Sequence, residues 1–223
     1  MIDNKKVLAI IPARSGSKRL KNKNIKPLLG KPLIYYTIKE AEKSKYIDEI
    51  ICSTDDKKIK KVALDYGCKT PFMRPTNISL DHSKIEQILL SIKSKIKSYS
   101  YIVILQPTSP LRLTVDIDET IKFHHYTKAK STATVCEIQK PIEWIYNITN
   151  KRLREISISS KKKKYLLNGS VYVVNQKNIM NNKKIINKET FAKQMPIERS
   201  IDIDTDFDFS VAEFLLKKRA YET

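Results

Sequence analysis

The residues best equipped for chemistry lie between Ala13 and Asn24. Five cations, Arg14, Lys18, Arg19, Lys21 and Lys23, are interleaved with Ser15, Gly16 and Ser17. Gly16 permits a tight turn and close approach of the backbone to a ligand. Serine hydroxyls, loop amides and flexible cations together suit a polyphosphate. The spacing is not that of a P-loop, because the next glycine after Gly16 is Gly30. In a lysine-rich chain, a solvated basic turn is the alternative reading.

A second cluster carries the opposite charge. It is Ile201-Asp-Ile-Asp-Thr-Asp-Phe-Asp208. In an extended strand, Asp202 and Asp204 share one face while Ile201 and Ile203 take the other. Two carboxylates on one face suit a hard divalent ion such as Mg²⁺, which takes one or two carboxylates plus substrate phosphates. A capping or ion-pair role is equally open on these residues alone. Asp206 and Asp208 precede a helix expected over 209–219, where negative charge is favoured.

Between these clusters lie Arg74, at the end of a short strand, and Gln106-Pro-Thr-Ser-Pro-Leu-Arg112. Two prolines stiffen the latter; it is either a binding loop or a well-made turn. Asn168-Gly169 reads as a turn into a strand, or as backbone left bare for a ligand. Ser83 either approaches a ligand or caps a helix, with Glu86 completing a capping box. Asp55 or Asp56 caps the helix that follows them, in preference to binding metal.

The elements that must position these groups alternate. Strands are expected over 7–11, 47–54, 69–73, 101–105, 131–138 and 171–174. Helices are expected over 32–44, 57–66, 83–98, 116–128 and 209–219. Such alternation argues for one α/β domain, residues 1–223, with a doubly covered, mostly parallel sheet. Its ligands belong at the carboxyl ends of the strands. Residues 140–167, containing Trp144, Tyr146 and Lys161 to Lys164, break the rhythm and read as an excursion. Residues 181–187 read as a surface loop.

The chain has 223 residues, 41% of them apolar, enough for a packed core. Its net charge of +19 favours anionic partners. Aromatics do not interleave with the basic runs as a nucleic-acid stacking platform requires, so no nucleic-acid partner is expected. Cys52, Cys68 and Cys136 have no Cys-x-x-Cys spacing, and His82, His124 and His125 form no ligand set. No secretory leader and no apolar run of membrane-spanning length is apparent, so no membrane partner is expected and a cytoplasmic location is.

Four segments in order resemble the acylneuraminate cytidylyltransferases, the CMP-sialic acid synthetases. They are Ala13-Arg-Ser-Gly-Ser-Lys18 with Lys23-Asn24; Leu105 to Arg112; Asn168-Gly-Ser-Val-Tyr172; and Ile201 to Asp208. The resemblance implies a Rossmann-like, three-layer nucleotide-diphospho-sugar transferase fold. It implies that CTP and a nonulosonic acid give a CMP-sugar and pyrophosphate. The acceptor would be an N-acylneuraminate, with legionaminic or pseudaminic acid as alternatives.

By the same resemblance, Arg14, Ser15, Gly16, Ser17, Lys18, Lys23, Asn24, Arg74 and Ser83 surround CTP. Asp202 and Asp204 hold Mg²⁺ and, with Arg14, Lys18 and Lys23, are catalytic. Gln106, Lys140, Asn168 and Gly169 meet the acidic nine-carbon sugar, and Arg112 braces its loop. A homodimer is implied, with the 140–167 excursion closing the partner's sugar site. The chain departs from the pattern at Lys161 to Leu167, where relatives often carry a proline-containing stretch. A sister family, the cytidylyltransferases for 3-deoxy-manno-octulosonic acid, usually opens with a different loop.

Overall fold

The run Val7–Pro12 is almost wholly apolar, and in the computed structural model it is strand β1, buried on both faces. That is the signature of a central strand in a covered parallel sheet. The structure describes residues 1–17, 19–80, 83–155, 163–181 and 184–222. A tight ribbon follows β1, formed by β2 (Pro27–Leu28) and β3 (Lys31–Pro32). Its turn residues, Leu29 and Gly30, both have positive φ, at 48° and 76°. The main sheet adds β4 (Glu49–Ser53), β5 (Tyr101–Leu105), β6 (Ser131–Glu137), β9 (Tyr165–Asn175) and β10 (Phe191–Gln194).

The sheet order is β10-β6-β9-β5-β1-β4. Pairings are parallel except at β9, which is antiparallel to both neighbours. One consequence matters for the site. Because β9 runs backwards, its early residues arrive at the carboxyl ends of β5 and β6.

Alternation along β1 divides the core. Val7, Ala9 and Ile11 face Ile34 and Ile38 of α1 (Leu33–Glu42), Ile59 of α2 (Lys57–Asp65) and Ile117 and Ile121 of α5 (Thr114–Tyr126). Leu8 and Ile10 face Leu89 of α3 (Ile85–Ser91), Ile96 of α4 (Lys93–Ile96) and Ile179 of α6 (Gln176–Met180). The result is the expected three layers. A smaller cluster joins Leu20, Leu28 and Leu33 to Ile203, and to Phe209 and Ala212 of α7 (Asp206–Glu222). This cluster presses the acidic segment against the basic loop.

Several expectations are corrected. Residues 69–73 make only isolated bridges, Ile51 to Lys69 and Thr54 to Met73, because Pro71 has no N–H to donate. The helix expected over 83–98 breaks at Ile92 into α3 and α4. Strand β9 begins at Tyr165, six residues before the expected start. The edge strand β10 was not foreseen; its residues are exposed except for half-buried Lys193, and its sequence carries no apolar alternation. Residues 201–204 are irregular backbone, not strand, and α7 starts at Asp206.

Strands β7 (Tyr146–Thr149) and β8 (Arg152–Glu155) form a hairpin that pairs with no other strand among the described residues. Every residue in both is exposed. No described helix is long and apolar enough to cross a membrane.

Candidate active site

A cleft of about 660 Å³ opens at the carboxyl ends of β1 and β5. One side carries Arg14, Ser17, Arg19, Lys23 and Asn24. Arg74 and Ser83 also line it, and the far side is Gln106, Pro107, Thr108, Asp202 and Asp204. Most of the residues singled out in the sequence converge here from positions up to 190 apart.

The basic loop is held from below. The Ser15 backbone N–H and hydroxyl both donate to the Asp55 carboxylate, at 3.0 and 2.8 Å. The Ala13 N–H donates to the Ser53 carbonyl at 2.9 Å. Buried Asn24 donates from Nδ2 to the Arg14 carbonyl at 2.8 Å. Ser15 and Asn24 therefore shape the loop, and Arg14, Ser17 and Asn24 line the cleft. Asp56, not Asp55, caps α2, accepting from the Lys58 and Ile59 amides. The anchoring role of Asp55 left no signal in the local sequence, since its partner lies 40 residues away. Gly16 has no positive φ, and a Cβ there would approach only Arg14 Nη1, at 3.8 Å. Its smallness is not demanded by the protein itself. Lys18 lies outside the described residues.

Arg74 is buried, and its guanidinium donates to the Ser53 hydroxyl and carbonyl. Burial lowers its pKa, and the charge of Asp55 opposes that. Ser83 does not cap α3. Its Oγ accepts from the Leu80 N–H at 3.0 Å, closing the turn before the helix. Gln87 takes the Lys84 N–H instead, and Glu86 accepts from the Ile185 N–H at 3.0 Å. The capping-box expectation is thus corrected.

At the inner end, Arg112 is 1% exposed and braces three segments at once. Its Nη1 donates to the carbonyls of Gln106 and Ser170, and its Nη2 to the Thr37 hydroxyl at 2.7 Å. Burial pushes it down to about 10, so it stays a cation at neutral pH. Gly169 has φ +69°, and a Cβ there would sit 2.7 Å from Gln106 Oε1 and 3.6 Å from Asp202 Oδ2. Only glycine brings this backbone against both side chains. The Asn168 side chain lies beneath, buried and committed. Its Oδ1 accepts from the Thr134 hydroxyl and the Ser170 N–H, and its Nδ2 donates to the Ser200 hydroxyl. Lys140 is exposed and does not line the cleft.

Asp202 opens into the cleft, yet protein crowds its other sides. That desolvation raises its carboxyl; the Thr108 hydrogen bond opposes the rise and the Asp204 charge adds to it. Asp204 accepts from Lys23 Nζ at 2.9 Å and Arg19 Nη1 at 3.0 Å. Lys23 Nζ also donates to the Ile203 carbonyl at 2.6 Å. Arg19 was not singled out as a site residue. Asp206 pairs with Lys26, and Asp208 accepts from the Thr205 N–H and hydroxyl at the start of α7. The donor set fits a hard divalent ion. Two carboxylates line a cleft that also holds basic side chains, and among the described residues no third His, Cys, Asp or Glu joins them. An ion that completes its shell with phosphate oxygens and water requires no more.

His124 and His125 serve the scaffold. His124 bonds Thr132 and Asn175, and His125 bonds Tyr101 and Asp3.

Known proteins resemble the chain over almost its whole length. The chain is 34% identical to the CMP-N,N'-diacetyllegionaminic acid synthase of Legionella pneumophila, across 95% of this chain and 97% of that one. It is 32% identical to a pseudaminic acid cytidylyltransferase of Campylobacter jejuni, with the same coverage. It is 30% identical to the N-acylneuraminate cytidylyltransferase of Escherichia coli, spanning 53% of that longer protein. A solved CMP-2-keto-3-deoxy-manno-octonic acid synthetase, complexed with CTP, superposes with a TM-score of 0.75 over 96% of this chain and 99% of its own, at 16% identity. The 4-diphosphocytidyl-2C-methyl-D-erythritol synthase of Anaerococcus prevotii does so at 0.69, also at 16% identity, covering 96% of this chain and all of that one. These two show that the chain shares their Rossmann-like fold. Residues 8–223 match the family described as cytidylyltransferase, and the chain belongs to that family.

Proposed function

We propose that the protein transfers the cytidylyl group of CTP to the anomeric hydroxyl of a nonulosonic acid, giving a CMP-sugar and pyrophosphate. The observation that carries this reading is the cleft in which Arg14, Ser17 and Lys23 face Asp202 and Asp204, with Gln106 on the wall. The three relatives named above act, by their names, on acids of this class.

Such transfer needs positioning and charge neutralisation more than covalent help. The cations of the first loop, Arg14, Lys18 and Lys23, hold the triphosphate and stabilise the departing pyrophosphate. Arg74 carries positive charge to the cleft wall. Gln106, fixed from behind by Arg112, orients the acceptor so that its oxygen attacks the α-phosphorus as the bond to pyrophosphate breaks. Asp202 and Asp204 would hold Mg²⁺. That ion, when bound, neutralises phosphate charge and acidifies a coordinated hydroxyl.

The hairpin β7–β8 supports a homodimer. Trp144, Ile148 and Leu153 are 69%, 75% and 65% exposed, an apolar surface suited to a second copy. Lys140, near the base of this arm, would then approach the partner's acceptor site. A cytoplasmic location suits an enzyme of CTP with three free, buried cysteines.

The test is pyrophosphate release from CTP and Mg²⁺, with N-acetylneuraminic, legionaminic and pseudaminic acids offered separately and ATP, GTP and UTP as controls. Release with CTP and one acid is expected. No release with any acid, from folded protein that binds CTP, overturns the acceptor assignment.

A further inference from the structure

Asp204 is held by two cations of unequal freedom. Lys23 Nζ donates to its Oδ1 at 2.9 Å and to the Ile203 carbonyl at 2.6 Å, and this lysine is 13% exposed. Arg19 Nη1 donates to Oδ2 at 3.0 Å and is 70% exposed. Lys23 is thus a strut tied to the backbone. Among the described residues, Asp204 is the one hydrogen-bond partner of the Arg19 guanidinium.

The root of Arg19 is fixed although its head is in water. Its neighbour Leu20 is 4% exposed and packs in one cluster with Ile203 and Phe209. Arg19 also lines the cleft, together with Arg14, Ser17 and Lys23. An exposed side chain changes rotamer within nanoseconds. Arg19 can therefore turn from Asp204 to the cleft interior while the main chain stays in place.

A guanidinium fork matches a phosphate as well as a carboxylate. A hard divalent ion needs the carboxylate oxygen itself. Resting on the proposed function above, we infer that Arg19 is a displaceable counter-cation at the ion site. It covers Oδ2 of Asp204, so a divalent ion must compete with it for that oxygen. The triphosphate of CTP draws the guanidinium into the cleft and frees the oxygen. Lys23, tied to the Ile203 carbonyl, stays where it is. Arg19 thereby makes ion binding depend on nucleotide. By linkage, CTP and the ion strengthen each other's binding by an equal factor.

The experiment titrates Mn²⁺, which takes the same oxygen ligands as Mg²⁺, into native enzyme, Arg19→Ala and Lys26→Ala without nucleotide. Free Mn²⁺ is read by electron paramagnetic resonance. Lys26→Ala is the control: it removes the same charge and a comparable pair, Lys26 with Asp206 at 2.6 Å, from outside the ion site. Thermal melts show that both variants are folded. The worth of an exposed ion pair bounds the effect, so Arg19→Ala should bind Mn²⁺ about 2- to 5-fold more tightly than the native enzyme. Lys26→Ala should match the native enzyme. With the metal chelated, Arg19→Ala should bind CTP several-fold more weakly. Unchanged Mn²⁺ affinity in Arg19→Ala overturns the inference, as does an equal gain in Lys26→Ala or an unchanged metal-free affinity for CTP. Mn²⁺ binding that persists undiminished in Asp204→Ala overturns the ion site of the proposed function itself, a failure distinguishable from these.

Discussion

Replacing Gly169 by alanine separates backbone strain from disruption of the site. At φ +69° an L-residue is strained by about 1–2 kcal/mol. The new Cβ would also meet Gln106 Oε1 at 2.7 Å. Because that atom ends a flexible side chain, Gln106 should swing away instead of the strand moving. A displaced positioning group costs about 100-fold in rate for each ångström or so. Gly30→Ala is the control, since it has φ +76° and nothing within 4 Å of its Cβ. Both variants should lose about 1–2 kcal/mol, or a few degrees in Tm for a chain of this size. Only Gly169→Ala should lose activity, by about 10- to 100-fold in kcat/KM for the acceptor. Thermal melts and pyrophosphate-release kinetics on both variants decide it. Equal activity in the two variants would refute the claim that Gly169 is there for Gln106.

Asp204→Ala should abolish divalent-dependent transfer, while stability falls by only about 0–1 kcal/mol, because Asp204 itself is half exposed and its partner Arg19 is largely solvated; near-normal turnover would remove it from the ion site. Arg112→Met should destabilise by about 2–4 kcal/mol, since the carbonyls of Gln106 and Ser170 and the Thr37 hydroxyl lose a buried donor. Arg112→Lys should rescue little of this, lacking the planar fork, as urea melts would reveal. Burial pushes His124 down from 6.5 to about 4, so the folded state prefers the neutral ring. The corresponding stability, about 3 kcal/mol at most, is complete above pH 6.5 and lost as pH falls towards 4. In His124→Gln, the slope of unfolding free energy with pH across that window should flatten.

Much of this protein is visible in its chain. Apolar runs such as Val7–Pro12 and Tyr101–Leu105 announce buried strands because a covered sheet needs both faces apolar. The basic run after β1 and the acidic run before α7 are chemically conspicuous at any distance. Other features left weaker traces. The break at Ile92 falls inside an unbroken helical periodicity. Strand β10 is short, exposed and lysine-bearing, so no two-residue rhythm marks it. Ile85 and Ile88 follow the same helical face as core residues, yet both line the cleft.

By itself, the order of residue types determined the alternating architecture, the two charged clusters and the loops that carry the site, because these depend on local periodicity and composition. The tertiary structure decided which residues of each loop meet the cleft. Ser15 is spent on shaping the basic loop, Asn168 on the floor beneath Gly169, and Asp55 on anchoring, since each finds a partner 34 or 40 residues away, while Asn24 both shapes the loop and lines the cleft. The reversal of β9 brought Gly169 to Gln106, and the cluster of Leu20, Ile203 and Phe209 brought Asp204 to Lys23. Hydrogen bonds and packing between distant segments are set by the closure of the whole core, which no local stretch encodes.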